Sequence, residues 1–278
     1  MLRLATGRGF SVTRVPGFNT LSIIGFVLLY APIVILVVYS FNEGKNLAIW
    51  EGFSFRWYIE AYNNEAVQEA TLRSIVLALF AATLSTIAAT MAALATTRVK
   101  KFRGDNFIYM LINQPLMVPE IVTAVALLAF FALIKIQTGY TGLGYLIVAH
   151  TAFCIPFAYL PIRARLIGMD MSLEQAAADL YADNWRVFKK VTLPLLRPGI
   201  FAGFMLAFVI SIDDVIITEF VKSAGQETLP TYMLGQLRRI ITPEVNAISA
   251  VLLFAGTILV SGFFLLTRVT KKQHPATG

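Results

Sequence analysis

The chain has 278 residues, 57% of them hydrophobic and 14% charged, with 23 Lys and Arg against 16 Asp and Glu for a net charge of +7. Soluble domains carry about 25% charged residues, so an ordinary soluble domain is excluded. The basic residues cluster beside apolar runs, where membrane topology and anionic lipid account for them and no nucleic acid is needed.

Runs close to the ~20 residues that cross a bilayer recur six times, at residues 21–40, 74–97, 108–134, 145–162, 199–221 and 247–267. In hydrocarbon only helices and closed barrels satisfy their backbone polar groups. Barrel strands alternate over about 10 residues, whereas these runs are longer and continuously apolar. The expectation is an all-α, polytopic membrane protein whose residues 1–278 form a single transmembrane domain.

The first run reads as an anchor and not as a cleaved signal peptide. The loop after it, residues 41–73, is acidic (Glu43, Glu51, Glu60, Glu65, Glu69) and carries Trp50, Trp57, Tyr58 and Tyr62. Aromatics of this kind suit a membrane interface. The loop reads either as an interfacial helix on the protein's own rim or as a docking surface. Gly44-Lys45 is the nearest approach to a phosphate loop, but Asn46 follows and the earlier glycine is missing. The chain is therefore not expected to hydrolyse ATP itself.

The second span has small residues every fourth position, Ala81, Ser85, Ala89, Ala93 and Thr97, a stripe that lets helices pack closely. In the third, Pro115 and Pro119 lie one turn apart and Glu120 follows directly. Each proline removes a donor and clashes with the preceding turn, so a kinked or broken helix is expected, with Glu120 at membrane depth. Cys154 is the single cysteine, and His150 and His274 are far apart in sequence. No metal site is expected from them.

Basic residues at the N-terminus (Arg3, Arg8, Arg14), after the second span (Arg98, Lys100, Lys101, Arg103), between the fourth and fifth (Arg163, Arg165, Arg186, Lys189, Lys190, Arg197) and at the C-terminus (Arg268, Lys271, Lys272) hold most of the positive charge. The positive-inside rule then places both termini in the cytoplasm.

Residues 172–199 form the long loop on that side. Ser172 with Gln175 makes a capping box, Asp183 caps a second short helix from about Asn184, and Pro194 ends it. A helical hairpin on the cytoplasmic surface is expected. The fifth span contains "SIDDVIITEF", with Asp213, Asp214 and Glu219 in an apolar setting. A carboxylate at a membrane centre costs roughly 2.5–3.5 kcal/mol. If the helix is regular, Ser211, Asp214 and Thr218 share a face and Asp213 points about 100° away. Asp214 then reads as the pathway residue. Asp213 reads as a cap at a break or as a bond to a neighbouring span, and Glu219 lies near the external end. All four acids also admit a purely structural reading, through caps and interhelical bonds. The segment at residues 222–246 forms either a short helix across the mouth of a pathway or a surface connection.

The 172–199 segment resembles the EAA loop of permease subunits of binding-protein-dependent ATP-binding cassette importers. Gln175, Ala176 and Ala177 stand at its Glu-Ala-Ala, and Val191 to Pro194, with Leu193, at its hydrophobic-x-Leu-Pro ending. Gln175 replaces the usual Glu, although Glu174 precedes it, and Tyr181 replaces the turn glycine. Because Tyr tolerates positive φ poorly, a differently shaped turn is expected. "LAFVISIDDVIITEFV", "TLPTYMLGQLRRIITPEVNA" and "MVPEIV" are similar to the putrescine and spermidine importers, in the second of their two permeases.

The resemblance implies the type I importer permease fold and residence in a bacterial inner (cytoplasmic) membrane. It implies a second permease (a heterodimer), two ATPase subunits that bind ATP with magnesium, an external binding protein, and no cofactor or catalysis in this chain. The implied function is half of an ATP-driven, alternating-access pathway for polyamines. Asp214, Asp213, Glu120 and Glu219 are then pathway candidates, and Glu174, Gln175, Ala176, Ala177, Tyr181, Leu193 and Pro194 coupling candidates. The alternative is a self-sufficient cation or amine carrier or channel using the same acids.

Overall fold

The computed structural model describes residues 18–46, 49–99, 103–239 and 243–272. Arg3, Arg8, Arg14, Lys100, Lys101 and His274 lie outside the described residues. Two compact units are distinguished, Met1–Ala61 with Ile241–Leu253 and Tyr62–Ile240 with Phe254–Gly278.

In the first unit, α1 (Phe18–Tyr39) is a 22-residue helix without a charge. Its apolar side chains, from Leu21 to Val38, are largely exposed, as lipid contact requires. The loop after it is organised by Asn42. Its side chain donates to the Asn46 and Ile49 carbonyls (3.1 and 2.8 Å) and accepts from the Glu51 amide (2.8 Å). Trp57, in α2 (Arg56–Asn63), donates from Nε1 to the Asn42 carbonyl at 2.8 Å and is buried. Trp57 is therefore a structural residue of this loop and not one of its interfacial aromatics. In the same loop Phe41 stacks on Phe53, Phe55 meets both edge-on, and Tyr58 tilts against Phe41.

The second unit is built on α3 (Glu65–Arg98), α6 (Gly144–Ile167) and α9 (Leu193–Ile212). Asn64 caps α3, its side chain accepting from the Ala66 amide at 3.1 Å. The small-residue stripe lies where the helices meet: Ala81, Ser85, Ala89 and Ala93 are fully buried. Gly203 gives α9 a close approach to α6. A Cβ there would stand 2.7 Å from the Ala158 carbonyl oxygen of α6.

The helix containing Pro115 and Pro119 is broken, not merely kinked. α4 (Asp105–Met117) has 13 residues, too few to span, and α5 (Glu120–Thr138) restarts with Pro119 as its cap. Glu120 therefore opens a helix and does not sit inside one. α7 (Ser172–Asp179) and α8 (Asn184–Val187) form the expected hairpin. Asp183 caps α8 as anticipated, accepting from the Arg186 amide at 2.7 Å.

Two local expectations fail. The start of α7 is held by Asp170, which accepts from the Ser172 amide at 2.9 Å, and Ser172 itself makes no cap bond. Pro194 does not end a helix. A π-helical turn, Phe188–Thr192, leads directly into α9, with the Leu193 amide bonded to the Phe188 carbonyl five residues back. That wider turn accommodates the missing donor and the ring of Pro194. The result is one continuous 29-residue span, Asn184–Ile212.

The short α10 (Ile216–Val221), α11 (Leu229–Arg239) and α12 (Pro243–Lys272) follow. Among the described residues six helices are long and apolar enough to cross a membrane. Among the described residues there is no strand, only an isolated bridge between Asn42 and Phe53.

Candidate functional site

The helix that carries "SIDD" stops. α9 ends at Asp213, its C-cap, whose amide bonds the Val209 carbonyl, and the chain turns through Asp214 and Val215 before α10 begins. The break leaves four amides at the start of α10 without helical partners, and Asp214 takes two of them. Its Oδ1 accepts from the Ile217 amide at 3.3 Å, and its Oδ2 from the Thr218 amide at 2.9 Å and the Thr218 hydroxyl at 2.8 Å. His150 of α6 adds a fourth donor. Its Nε2 lies 3.3 Å from Asp214 Oδ2 and 2.9 Å from Thr218 Oγ1, while Nδ1 meets Ser211 Oγ at 2.9 Å.

Both side chains of the His150–Asp214 pair are 1% exposed. His150 lies six residues inside the apolar span of α6, roughly 9 Å along its axis. This cluster therefore lies within the length of an apolar span.

The premise of a regular helix thus does not hold, although Ser211, Asp214 and Thr218 do come together around one ring. Asp213, on the turn, is exposed. Glu120, at the start of α5, is partly exposed and interacts electrostatically with Asp214. The break therefore brings three carboxyl groups from two elements together. Glu219 is apart from them, in an ion pair of 2.7 Å with Lys222, which also reaches Glu227 at 3.7 Å. His150 and Thr218 were not singled out by motif. The signal for His150 was there, since an ionisable side chain within an apolar span is costly unless partnered.

A second constellation lies on the α7–α8 hairpin. Glu174 accepts from Arg98 Nε, at 3.1 and 3.2 Å to its two oxygens, and from the Thr192 hydroxyl at 3.0 Å. It ties the hairpin to the end of α3 and to the π-helical turn. Gln175 and Ala176 are exposed on α7, and Ala177 is half-buried. Leu193 and Pro194 are half-buried at the start of α9.

Tyr181 has φ +59°, the left-handed conformation that a glycine would adopt. Its amide bonds the Ala178 carbonyl at 2.9 Å and the Ala182 amide the Ala177 carbonyl at 3.2 Å, a Schellman cap. The turn keeps the glycine shape despite the substitution, contrary to expectation, because these two bonds hold it there. Leu180, Tyr181 and Trp185 project outward, 82%, 97% and 68% exposed. On an otherwise polar hairpin they form an apolar contact surface.

A helix break lined by carboxyl groups and a helical hairpin ion-paired to the end of α3, among spans long enough to cross a membrane, fit a transport permease. Residues 85–275 match the family of binding-protein-dependent transport system inner membrane components, and the chain belongs to that family. It is 36% identical over 268 residues to the putrescine transport system permease protein PotI of Escherichia coli (strain K12), covering 94% of this chain and 95% of that protein. It is 37% identical over 256 residues to the spermidine/putrescine transport system permease protein PotC of Haemophilus influenzae, covering 92% and 97%.

Among solved structures it is similar to a bacterial ABC transporter involved in the import of the acidic polysaccharide alginate. The TM-score is 0.64 at 14% identity, covering 96% of this chain and 100% of that one. It is also similar to the MetNI methionine ABC transporter, with a TM-score of 0.59 at 14% identity, covering 72% and 94%. These two likenesses concern the fold alone. The protein is a multi-pass component of the inner membrane, and the self-sufficient carrier reading is not favoured.

Proposed function

We propose that this chain is one of two permease halves of an ATP-driven importer of polyamines, working by alternating access. The observation that supports it is the break at Asp213–Val215, which gathers carboxyl groups at membrane depth in a chain 36% identical to a putrescine permease. A polyamine is a flexible polycation that loses hydration on entering the membrane. At an effective dielectric near 20, a contact pair at 4 Å gains about 4 kcal/mol before desolvation, so a few fixed carboxylates offset part of that loss. Asp213 and Glu120 offer accessible oxygens, Asp214 sets the local field, and Glu219 stands at the far end, already paired.

In this reading the chain has no catalytic role and no cofactor. ATP and magnesium are handled by two ATPase subunits that dock on the α7–α8 hairpin beside the exposed Leu180 and Trp185. A second, non-identical permease completes the pathway, and an external binding protein delivers substrate. The hairpin faces the cytoplasm, as do both termini, because the basic residues collect on that side.

Uptake of radiolabelled putrescine by the reconstituted complex tests this. ATP-dependent uptake that requires the binding protein is expected. Uptake that persists without the ATPase subunits, or ATP hydrolysis indifferent to amine-loaded binding protein, would overturn it.

A further inference from the structure

We propose that His150 is the positioning residue of the translocation site. Its ring ties Ser211 to Thr218 and Asp214 across the helix break, withdrawing Asp214 from the pathway and leaving Asp213 to meet the substrate ammonium. The inference rests on the polyamine reading above and deepens it.

The proton count supports the clasp. The Thr218 hydroxyl has one hydrogen, donated to Asp214 Oδ2 at 2.8 Å, so at 2.9 Å its oxygen accepts from His150 Nε2–H. Nδ1 then accepts from the Ser211 hydroxyl at 2.9 Å. One proton placement on the ring satisfies every contact. Asp214 accepts from the Ile217 amide, the Thr218 amide and hydroxyl, and the His150 ring, all buried. A carboxylate this fully engaged gains little from an ammonium, and turning it outward would orphan the buried Ile217 and Thr218 amides. Leaving even one unsatisfied costs about 1–3 kcal/mol.

Asp213 is the opposite case. It is the adjacent residue, exposed on the turn, and its backbone is held by the end of α9. Where its carboxylate points depends on the shape of the turn. Among the described residues, His150 is the α6 side chain that hydrogen-bonds on both sides of the break, to Ser211 before it and Thr218 after it. The neighbouring charged group from α5 is Glu120, beside Asp214. One turn along α6 is Cys154, whose Sγ faces the Ala207 carbonyl at 3.5 Å.

The test uses the reconstituted complex with putrescine and spermidine, which carry two and three ammonium groups, together with the thermal midpoint of the detergent-solubilised complex. Asp213→Asn should lower the spermidine-to-putrescine uptake ratio by about threefold, since each extra ammonium gains from the fixed charge, while the midpoint stays put. His150→Asn should lower the ratio similarly and add nothing in the Asp213→Asn background. His150→Gln, whose longer amide retains a donor near the Nε2 position, should restore the ratio. In the midpoint, His150→Asn and Asp214→Asn should be strongly non-additive.

An unchanged ratio in His150→Asn would overturn the proposal, as would a fall that adds to that of Asp213→Asn or additive midpoints. If His150→Asn does not assemble, Ser211→Ala, which removes the hydroxyl on Nδ1, takes its place in the cycle with Asp214→Asn. If the wild-type complex imports neither amine, the polyamine reading fails, and the midpoint cycle still decides whether the clasp exists.

Discussion

Tyr181 shows how one residue can hold a shape its chemistry disfavours. A non-glycine residue in the left-handed region costs roughly 1–2 kcal/mol, and here the two Schellman bonds around φ +59° offset it. The side chain is 97% exposed, so replacing it removes almost no packing within this chain. Tyr181→Gly should therefore stabilise the hairpin by about 1 kcal/mol, once the greater freedom of glycine in the unfolded chain is allowed for. Limited proteolysis of the α7–α8 segment would show this as slower cleavage. Because the turn already has the glycine shape, uptake by the Tyr181→Gly complex should stay close to wild type. A large loss would mean that the ring itself makes the partner contact.

Among the elements, α9 concentrates the constraints. At one end the π-helical turn carries the chain through Pro194, and at the other Asp213 terminates the helix. Between them Gly203 lets α6 approach. Gly203→Ala would place a methyl carbon 2.7 Å from the Ala158 carbonyl oxygen, and backbone does not move aside as a flexible side chain would. Overpacking of this kind costs typically about 1–3 kcal/mol. A lower thermal midpoint is expected, with less change for Gly235→Ala, where nothing lies within 4 Å of the added carbon. In α7, Ala177→Pro should cost about 3 kcal/mol and release the ATPase subunits on gel filtration, while the chain still enters the membrane.

The spans and the hairpin were legible in the sequence because each depends on local signals, an apolar run or a cap. The breaks at Val118 and Asp213 were only half legible. Proline announces the first. The second depends on a histidine more than sixty residues earlier in the chain, and no periodicity within α9 contains it. The partner of Glu174 was hidden for the same reason, since Arg98 read only as part of a basic flank.

At the scale of the whole molecule, α3 is a strut of 34 residues, about 51 Å long. At its beginning Arg73 donates to the Glu227 carbonyl at 2.8 Å, Ser74 accepts from the Leu229 amide at 2.7 Å, and Asn64 donates to the Tyr232 hydroxyl at 3.2 Å. These bonds hold the 227–232 segment and the start of α11. At its other end Arg98 grips Glu174, with the two side chains only 17% and 14% exposed. The hairpin is thus connected to the opposite end of the unit through one helix and one ion pair. A pair this buried costs about 2–3 kcal/mol when one partner is removed, between the exposed and fully buried cases. Arg98→Ala should therefore let the hairpin move with the ATPase while α3 lags. Fewer amines would be imported per ATP hydrolysed, with hydrolysis itself largely kept. Glu174→Gln should behave alike, and the double variant should be no worse than either single one, because all three remove the same link. Simultaneous measurement of ATP hydrolysis and putrescine uptake in proteoliposomes decides this. If Arg98→Ala keeps the wild-type ratio of uptake to hydrolysis, the ion pair only steadies the hairpin, and force reaches the pathway through the continuous span from α8 into α9.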